Sequence, residues 1–535
     1  MQTRSGRRSV IRRSTSSDPP GRRPHHYGAT HFPSQPRGPS AVKFEPSHIE
    51  ATPAAQKPRQ YDFDVAILGA GTAGMSAFRE ASNYAGRIAL IDGGPLGTTC
   101  ARVGCMPSKL LIAAAEAAHG PRNSSLFGIE TPPPQIDGKR VMARVRSERD
   151  RFVGFVREAV ESFEGVTLFR EFARFEDDSS LRLSSGRIIT ARAIVIATGS
   201  RPAVPQVLFA AGERLIVNDD IFDWDDLPSS VAVFGAGVIG LELGQALHRL
   251  GVRVHLFGRD NRIGPLTDPE VRDYAAAAFK SEIPATWHAD TQISRSGDKV
   301  VVRWSEAGEA REEEFDHVLA ATGRMPNIDQ IGIERTSLPT NRRGMLDYDP
   351  LSGRVGSSNV FVAGDAAFEL PLLHEAADEG RIAGENAGRF PDSYRRARRT
   401  PIAVVFSDPQ IALVGASHRQ LIENCEKGFA IGQASFDDQG RARVMGLNRG
   451  LVRIYGEHGS GRLLGAEMIA PRAEHLAHLL AWSIEMGLTV ERVLQMPYYH
   501  PVLEEGLRTA LRTLNAALGF GPQPPLRCID CGPGA

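Results

Sequence analysis

The chain has 535 residues, with 63 basic and 63 acidic side chains and 41% hydrophobic residues. At roughly 150 residues per domain, this length predicts about three to four domains with several buried cores. No stretch of about 18 uncharged apolar residues occurs, which argues against a membrane-spanning helix. Five cysteines in so long a chain exclude a small secreted scaffold held together by disulfides.

The zero net charge combines two unlike parts. Residues 1–60 carry eleven Lys and Arg against three Asp and Glu, a net charge of +8, so the rest of the chain carries −8. These residues hold few large apolar side chains, so burial cannot offset the entropy of ordering them. We predict a disordered basic arm, interpreted as a dispensable extension, a mitochondrial transit peptide, or a tether to nucleic acid or an anionic surface. We expect a cytoplasmic protein without a membrane or nucleic-acid partner, or a mitochondrial-matrix protein if the arm is a transit peptide.

The folded part begins near Tyr61 with a dinucleotide-binding pattern. A buried strand is predicted at 64–68, a helix extends to Tyr84, and a second strand at 87–91 ends at Asp92. The intervening turn has Gly-x-Gly-x-x-Gly spacing, formed by Gly69, Gly71 and Gly74. Such glycines let the backbone and the helix N-terminus approach a pyrophosphate, and the terminal acid can accept a hydrogen bond from a ribose hydroxyl.

The same unit recurs further along the chain. A strand at 231–234, a helix through Leu250 and a strand at 252–257 surround a second glycine motif. Its glycines are Gly235, Gly237 and Gly240. The second strand ends in Gly258 and Arg259 without an acid, and an arginine there can pair with the 2′-phosphate of NADPH. A third glycine rather than alanine favours NADH, so both cofactors stay open, and NADPH is the expectation.

Two dinucleotide sites on one chain imply that one dinucleotide reduces another, whereas a single site fits any dehydrogenase. Further apolar strands end in turns that can hold a flavin. The turn residues are Thr198, Gly199, Gly323, Gly364 and Asp365. The carboxylate of Asp365 is placed to reach a ribityl chain. Together these turns predict FAD held across a discontinuous domain, with NADPH or NADH at the second site.

Two cysteines follow the first glycine motif. Cys100 and Cys105 are five residues apart, and on a regular helix that spacing leaves them too distant and misdirected for a disulfide. Pro107 removes the amide that would donate to the carbonyl of residue 103, so we expect a local distortion. A disulfide there would be strained and easily reduced. A helix start would also lower the pKa of the thiols.

The motif Cys-x4-Cys-x-Pro-Ser-Lys after a flavin fingerprint resembles that of the class I pyridine nucleotide–disulfide oxidoreductases. That family includes dihydrolipoyl dehydrogenase, glutathione reductase and mercuric reductase. The resemblance implies that Cys100 is the thiol that exchanges with substrate and that Cys105 lies against the flavin. It also implies that Lys109 lies near the flavin N5 and pairs with Glu242, and that residues 374–380 belong to the helix beside the flavin ring.

A histidine near the C-terminus completes the predicted site. His500 precedes a helix predicted at 503–514, and Glu505 follows five residues after the histidine. A carboxylate that orients an imidazole makes a better general base and stabilises its protonated form. In the family such a pair reaches the disulfide of the other subunit, so the resemblance implies a homodimer.

The predicted fold class is α/β, with two Rossmann-like dinucleotide-binding domains and a C-terminal α+β dimerisation domain. The resemblance covers roughly 61–518 of the sequence. We expect a disordered basic arm at 1–60, the first part of the FAD domain at 61–206, the NAD(P) domain at 207–323, the second part of the FAD and central domain at 324–398, the dimerisation domain at 399–518 and a mobile tail at 519–535.

By this resemblance the chain is most similar to dihydrolipoyl dehydrogenase, with lipoamide or a lipoyl domain as the expected partner. Departures keep other activities open. The glycine pair usual before the first cysteine is Gly97-Thr98 here, and the flank Pro497-Tyr498 resembles mercuric reductases, although that subgroup lacks the histidine. The alternatives are an NADPH-dependent metal reductase of mercuric type, another disulfide or quinone reductase, and a non-enzymatic flavoprotein subunit tethered by the arm.

The Gly- and Pro-rich tail carries Cys528 and Cys531. Mercuric reductases have a C-terminal thiol pair that hands metal to the active site, although those cysteines are adjacent. We interpret the tail pair as a mobile dithiol relay or metal-capture site, or as two inert thiols. Two thiols do not complete a tetrahedral zinc site, so no structural zinc site is predicted and no residue is assigned as a metal ligand. Cys425 is isolated and is assigned no role.

Overall fold

The computed structural model describes residues 60–259, 262–288, 290–306 and 308–522. The predicted basic arm, apart from residue 60, lies outside this part of the chain, as do Cys528 and Cys531. Among the helices that are described, none is both long and apolar enough to cross a membrane.

Helices and strands alternate through most of the described chain. The strands are β1 Phe63–Leu68, β2 Ile88–Ile91, β3 Val166–Phe169, β4 Ala173–Asp177, β5 Ser180–Leu183, β6 Ile188–Ile196, β7 Ser200–Pro202, β8 Leu215–Ile216, β9 Ser230–Phe234, β10 Arg253–Phe257, β11 Ala285–Thr286, β12 Thr291–Ser296, β13 Lys299–Glu306, β14 Glu309–Phe315, β15 His317–Ala320, β16 Arg324–Pro326, β17 Val360–Val362, β18 Ile402–Val405, β19 Gln410–Gly415, β20 Phe429–Ser435, β21 Leu451–Glu457 and β22 Leu463–Ala470. The helices are α1 Thr72–Ala81, α2 Thr99–Val103, α3 Cys105–Arg122, α4 Gly138–Glu161, α5 Asn218–Ile221, α6 Val238–Arg249, α7 Pro269–Glu282, α8 Leu373–Arg389, α9 His418–Asn424, α10 Gly440–Val444, α11 Ala473–Glu485, α12 Val490–Leu494 and α13 Glu505–Ala517.

The first sheet brings three predicted turns to one edge. Strands β3, β2, β1, β6 and β17 are parallel neighbours, and β5 and β4 continue the sheet from the first half of β6. In register, Leu68, Ile196 and Val362 lie side by side at the carboxyl ends of their strands. The turns that begin at Gly69 and Ala197, and the one that contains Gly364, therefore meet at the edge where open α/β sheets bind ligands.

The second sheet repeats this arrangement in the order β11-β10-β9-β15-β8, with all neighbours parallel. Phe257, Phe234 and Ala320 lie side by side at its carboxyl edge. A small antiparallel sheet, β12-β13-β14, shares a hydrophobic core with it through residues such as Val300 and Phe315. The second glycine motif and the Gly258-Arg259 turn thus share an edge.

The third sheet is antiparallel, in the order β18-β19-β22-β21-β20. Helices α11 and α13 cover it and contribute Leu480 and Leu511 to its core. Buried polar contacts join it to α7. The Tyr455 hydroxyl donates to Asp268 Oδ2 at 2.9 Å, and Arg453 Nε lies 3.0 Å from the same oxygen.

Helix packing sets the relation between the cysteine segment and the second glycine motif. Leu111 of α3 and Leu247 of α6 belong to one buried core. Helix α8 packs on α1 so closely that a Cβ atom at Gly380 would lie 2.2 Å from the carbonyl oxygen of Ala73. The first sheet takes its strands from the two predicted parts of the FAD domain, and the second and third sheets each take theirs from one predicted domain. We therefore propose the domain division given above.

Candidate active site

The helix that carries the cysteine pair is interrupted between the two cysteines. Helix α2 ends at Val103 and α3 begins at Cys105, with Gly104 between them at φ −126° and ψ −119°. Pro107 has no amide hydrogen for the carbonyl of Val103, and the Asn218 side chain donates to it instead at 2.8 Å. The expected distortion is present, and it is centred on Gly104 because the missing hydrogen bond releases the backbone N-terminal to the proline.

The break brings the two thiols together. Cys100 and Cys105 are free thiols, and the interaction of each with the other is the main cause of its shifted pKa. The hydrogen bond from Cys100 lowers the pKa of Cys105 to about 7, with help from the Lys109 charge and against the effect of burial. The hydrogen bond to Cys105, together with burial, raises the pKa of Cys100. The first proton of the pair therefore leaves Cys105.

Thr98 precedes α2 in an unusual backbone conformation. Its φ of 59° and ψ of 153° lie in a region that glycine adopts readily and a β-branched residue rarely does. Such a conformation costs on the order of 1–3 kcal/mol. The Thr98 hydroxyl accepts a hydrogen bond from the amide of Ala101 at 3.2 Å, so it caps the short helix that carries Cys100. The sequence showed the departure from the glycine pair, but not this conformation.

An ion pair joins α3 to α6. Lys109 Nζ lies 2.9 and 2.7 Å from the two carboxylate oxygens of Glu242, whose side chain is 4% exposed. Glu242 also accepts the amide of Phe406 at 2.9 Å, and Lys109 Nζ lies 4.6 Å from the centre of the Phe406 ring. The pair implied by the resemblance is formed, and Phe406, which sequence reasoning missed, supports both partners.

The glycines of the first motif serve two purposes. A Cβ atom on Gly69 would lie 2.3 Å from the carbonyl oxygen of Ala197, and one on Gly74 would lie 1.8 Å from the carbonyl oxygen of Gly69. These two glycines allow the turn and helix to pack. A Cβ atom on Gly71 would meet nothing within 4 Å. The middle glycine therefore opens space at the N-terminus of α1, where the pyrophosphate of FAD fits.

Asp92 directly follows β2 and lies beside this space. Its carboxylate accepts the amides of Ala70 and Gly94, each at 2.8 Å. A carboxylate offers about four acceptor positions, so two remain for a ribose diol. A Cβ atom on the neighbouring Gly93 would lie 2.6 Å from the ring of Phe172, which is 67% exposed. Sequence reasoning missed this ring, which packs against the turn that follows Asp92.

Asp365 lies at the third turn of the same edge. The Ser200 hydroxyl donates to Asp365 Oδ2 at 2.5 Å, and Arg324 donates to both the hydroxyl and the carbonyl of Ser200 at 2.7 Å. Glu379 of α8 accepts the amide of Gly364 at 2.7 Å and so holds this turn in place. Sequence reasoning missed Ser200, Arg324 and Glu379. Ser200 and Arg324 each directly follow a predicted Thr-Gly turn, and this position in the sequence could have identified them.

The predicted Thr-Gly turns lie beside these residues. The Thr198 hydroxyl donates to the carbonyl of Asn327 at 2.8 Å. Gly199 and Gly323 have φ values of 69° and 116°, and a Cβ atom on either would meet nothing within 4 Å. Backbone conformation rather than crowding therefore explains these two glycines. With Gly71, Asp92 and Asp365, Thr198 and Gly199 form an edge whose donors and acceptors suit a flavin dinucleotide. Gly323 instead follows β15 of the second sheet, and its carbonyl accepts a hydrogen bond from the amide of Ala203.

The second glycine motif has the same construction as the first. A Cβ atom on Gly235 would lie 2.2 Å from the carbonyl oxygen of Ala321, one on Gly240 would lie 1.9 Å from that of Gly235, and one on Gly237 would meet nothing within 4 Å. Gly240 is thus required by the packing of α6 on its turn. The glycine at this position therefore gives no information on whether the protein binds NADH or NADPH.

Arg259 follows Gly258 at the end of β10. A Cβ atom on Gly258 would lie 2.7 Å from the ring of Trp287. The indole Nε1 of Trp287 is buried and finds no hydrogen-bond partner in the described part of the chain. Trp287 directly follows β11, the strand next to β10, so its ring packs against the turn after β10. Such an unpaired donor beside an open glycine turn fits a bound nucleotide.

His500 and Glu505 form the predicted pair. His500 Nδ1 lies 2.9 and 3.1 Å from the two carboxylate oxygens of Glu505. The glutamate side chain is 4% exposed and the histidine side chain 56%. Because a carboxylate only accepts, Nδ1 carries the proton and Nε2 can take one up. Helix α13 begins at Glu505 rather than at residue 503, since the Glu505 carboxylate accepts the amide of Val502 and closes the preceding turn.

Comparison with known proteins gives the class. The chain matches the family described as pyridine nucleotide-disulphide oxidoreductase over residues 63–380, and the dimerisation domain of that family over residues 402–511. The first match covers more than half of the chain, so the protein belongs to the pyridine nucleotide-disulphide oxidoreductases. It is a flavoprotein that uses FAD and NAD(P)H, and its dimerisation domain supports a homodimer.

Similar proteins carry two kinds of name. A mercuric reductase of Shigella flexneri is 31% identical, over 84% of this chain and 80% of its own length. A dihydrolipoyl dehydrogenase of Haloferax volcanii is also 31% identical, over 84% of this chain and 98% of its own. The solved structure of LpdA from Mycobacterium tuberculosis is 26% identical with a TM-score of 0.72, covering 84% of this chain and 98% of its own. These findings confirm the predicted fold class and oxidoreductase class.

Proposed function

We propose that the protein is a dithiol–disulfide oxidoreductase of the dihydrolipoyl dehydrogenase type. The observation that carries this proposal is the contact of His500 Nδ1 with the buried Glu505 carboxylate at 2.9 Å. Oxidation of a dithiol requires a base that ionises the substrate thiol, and an imidazole held by a carboxylate supplies one. Reduction of a metal ion does not require a base for this purpose.

The residues at the two sheet edges suit the two dinucleotides. Gly71 and the N-terminus of α1 would receive the FAD pyrophosphate, Asp92 the ribose, and Asp365 the ribityl chain. Lys109, paired with Glu242, would lie at the flavin ring. The flavin, when bound, supplies the two-electron exchange between the cysteine pair and the nicotinamide. For the second edge we infer a preference for NADPH, because Gly258 stands at the register position of Asp92, which leaves no acid for the 2′-hydroxyl of NADH, and Arg259 directly follows it.

The thiol chemistry proceeds on the oxidised pair. His500 takes the proton of one substrate thiol at Nε2, and the thiolate attacks Cys100 Sγ. The Cys100–Cys105 bond breaks as the mixed disulfide forms, and Cys105 leaves as a thiolate. The second substrate thiol loses its proton to water and attacks the first substrate sulfur, while His500 returns its proton to the departing Cys100. The substrate has lost two electrons and two protons; the pair has gained two electrons and one proton.

The electrostatics of the pair suit this end state. Cys105 is the thiol that ionises first, with a pKa lowered to about 7, while the pKa of Cys100 is raised. The reduced pair therefore holds its proton on Cys100 and its negative charge on Cys105. This is the distribution that proton return from His500 produces.

Replacement of His500 by Gln tests the proposal. Turnover of lipoamide or dihydrolipoamide should fall at least about a hundredfold, because the thiol loses its base. Oxidation of NADPH or NADH by a quinone should stay near the wild-type rate, since it requires no thiol ionisation. His458→Gln, a change of an exposed histidine in the same domain, serves as the control. Near-wild-type lipoamide turnover in His500→Gln would refute the role.

A second candidate is the reduction of a thiol-bound metal ion with NADPH. It is favoured by the relatives named mercuric reductase, such as that of Staphylococcus aureus, which is 27% identical over 89% of this chain. Cys528 and Cys531 would then capture the metal ion. Turnover with Hg(II) that survives His500→Gln, combined with no turnover of lipoamide by the wild type, would make metal reduction the function.

A further inference from the structure

We propose that Thr98 is a positioning residue for the redox pair: its hydroxyl holds the helical turn that carries Cys100, so that the sulfurs of Cys100 and Cys105 stay in contact. The inference concerns how the pair is held, whichever substrate it serves. It rests on the hydrogen bond, the backbone conformation and the surroundings of Thr98.

Helix α2 depends on contacts at its ends. It has only five residues, and helices this short are not stable by themselves. At its C-terminus the Asn218 side chain, which is buried, donates to the carbonyl of Val103 at 2.8 Å. At its N-terminus the amide of Ala101 donates to the Thr98 hydroxyl at 3.2 Å. The Thr98 carbonyl also accepts the amide of Arg102 at 3.2 Å, so Thr98 makes two hydrogen bonds to the turn with Cys100, and the hydroxyl is the one that a change of side chain removes.

Fold stability does not explain a threonine at this position. A glycine would adopt the φ of 59° without strain, and glycine is nearly as good as threonine at helix N-caps. What threonine adds and glycine lacks is the hydroxyl that accepts the amide of Ala101.

The position of Cys100 matters because of what it does to Cys105. The hydrogen bond from Cys100 is the main cause that lowers the pKa of Cys105 to about 7. If the turn with Cys100 moves, that hydrogen bond lengthens and the pKa of Cys105 rises towards the ordinary value of a thiol. The ionisation of Cys105 therefore reports directly on the contact that Thr98 is proposed to hold.

The test compares variants that separate the hydroxyl from the strain. Thr98→Val keeps the branched side chain and loses the hydroxyl, Thr98→Gly loses both, and Thr98→Ser keeps the hydroxyl. The holoenzyme is reduced with NADPH under anaerobic conditions. Alkylation of Cys105 by iodoacetamide is then followed against pH by peptide mass spectrometry. The midpoint should rise by at least about one pH unit in Thr98→Val and Thr98→Gly, and stay at the wild-type value in Thr98→Ser.

Thr99→Val is the matched control. Thr99 is exposed in the same helix, its hydroxyl has no hydrogen bond among the described residues, and its loss should leave the midpoint unchanged. Thr98→Gly should also melt no lower than the wild type, because it removes the strain. If Thr98→Val does not fold, the midpoint measured for Thr98→Gly is sufficient to test the proposal. An unchanged midpoint in Thr98→Gly, or a midpoint that rises in Thr99→Val as well, overturns the proposal.

Discussion

The two cysteine thiols of this site differ in pKa because they have different neighbours. Cys105 accepts a hydrogen bond from Cys100 and lies near the charge of Lys109, which together lower its pKa to about 7. Glycines differ in the same way. Gly240 is required by a carbonyl oxygen that a Cβ atom would approach to 1.9 Å, whereas Gly237 faces open space. A residue's contacts, and not its type, therefore decide whether it serves packing or binding.

The cofactor preference is decided at the residue scale. Replacement of Arg259 by Glu removes the proposed partner of a 2′-phosphate and adds a charge that repels it. We expect the KM for NADPH to rise at least about tenfold and the KM for NADH to fall or stay constant, measured by steady-state kinetics. Arg342→Glu, the same charge change at an exposed position, is the control. An unchanged ratio of the two KM values would contradict the assignment of Arg259 as the partner of the 2′-phosphate.

At the scale of elements, side chains from distant segments hold the helices together. The Lys109–Glu242 pair joins α3 to α6, and the amide of Phe406 adds the start of the third sheet to the same carboxylate. Helix α7 is joined to that sheet through Tyr455 and Asp268, both fully buried. The elements that carry the cysteines and the second glycine motif are therefore braced against the dimerisation domain.

The contact between α7 and the third sheet can be tested through stability. Tyr455→Phe removes the hydroxyl that donates to the buried Asp268 carboxylate and should lower the free energy of unfolding by about 1 kcal/mol. Thermal unfolding of the holoenzyme measures this as a lower Tm with turnover retained. Tyr499→Phe, at a side chain that is 79% exposed, is the control. Equal Tm values for the two variants would contradict the role of this contact.

At the scale of the whole molecule, the dimerisation domain is expected to complete the site. Large apolar side chains are exposed on and near α11 in the single chain, among them Trp482 at 62% and Met486 at 73%. His500 is more than half exposed, and among the described residues no hydrogen bond joins it to either cysteine. These observations suit a site that combines the cysteines of one subunit with the histidine of another.

Heterodimers test this arrangement. Chains carrying Cys100→Ser and His500→Gln are co-expressed with different tags, and the mixed dimer is isolated. If the site combines two subunits, one of its two sites has both residues intact, so turnover of lipoamide should be about half that of the wild type. Both homodimers should be nearly inactive. An inactive heterodimer would place the histidine and cysteines of one site in a single chain.

Local patterns predicted much of this protein. Both glycine motifs stand after buried strands, as their spacing indicates, and His500 contacts Glu505 five residues later. The distortion near Cys105 was also predicted, because the lack of an amide hydrogen in proline is a property of one residue. Residues that support the site from afar were missed. The Asn218 side chain donates to the carbonyl of Val103, which is 115 residues away in the sequence. The Trp287 ring packs against Gly258, which follows a different strand.

The sequence by itself predicted the two glycine motifs and the cysteine pair, because each depends on spacings within one turn, strand or helix, and the resemblance of these motifs to a known family indicated the class of the enzyme. The Lys109–Glu242 pair, 133 residues apart, was available only through the family resemblance. Only the tertiary structure decided that Thr98 caps α2 in a conformation typical of glycine, that Asn218 takes over the carbonyl left by Pro107, and that Gly240 is required by packing. The physical reason is that hydrogen bonds and close contacts between distant segments depend on how the sheets and helices pack, which residue spacing does not encode.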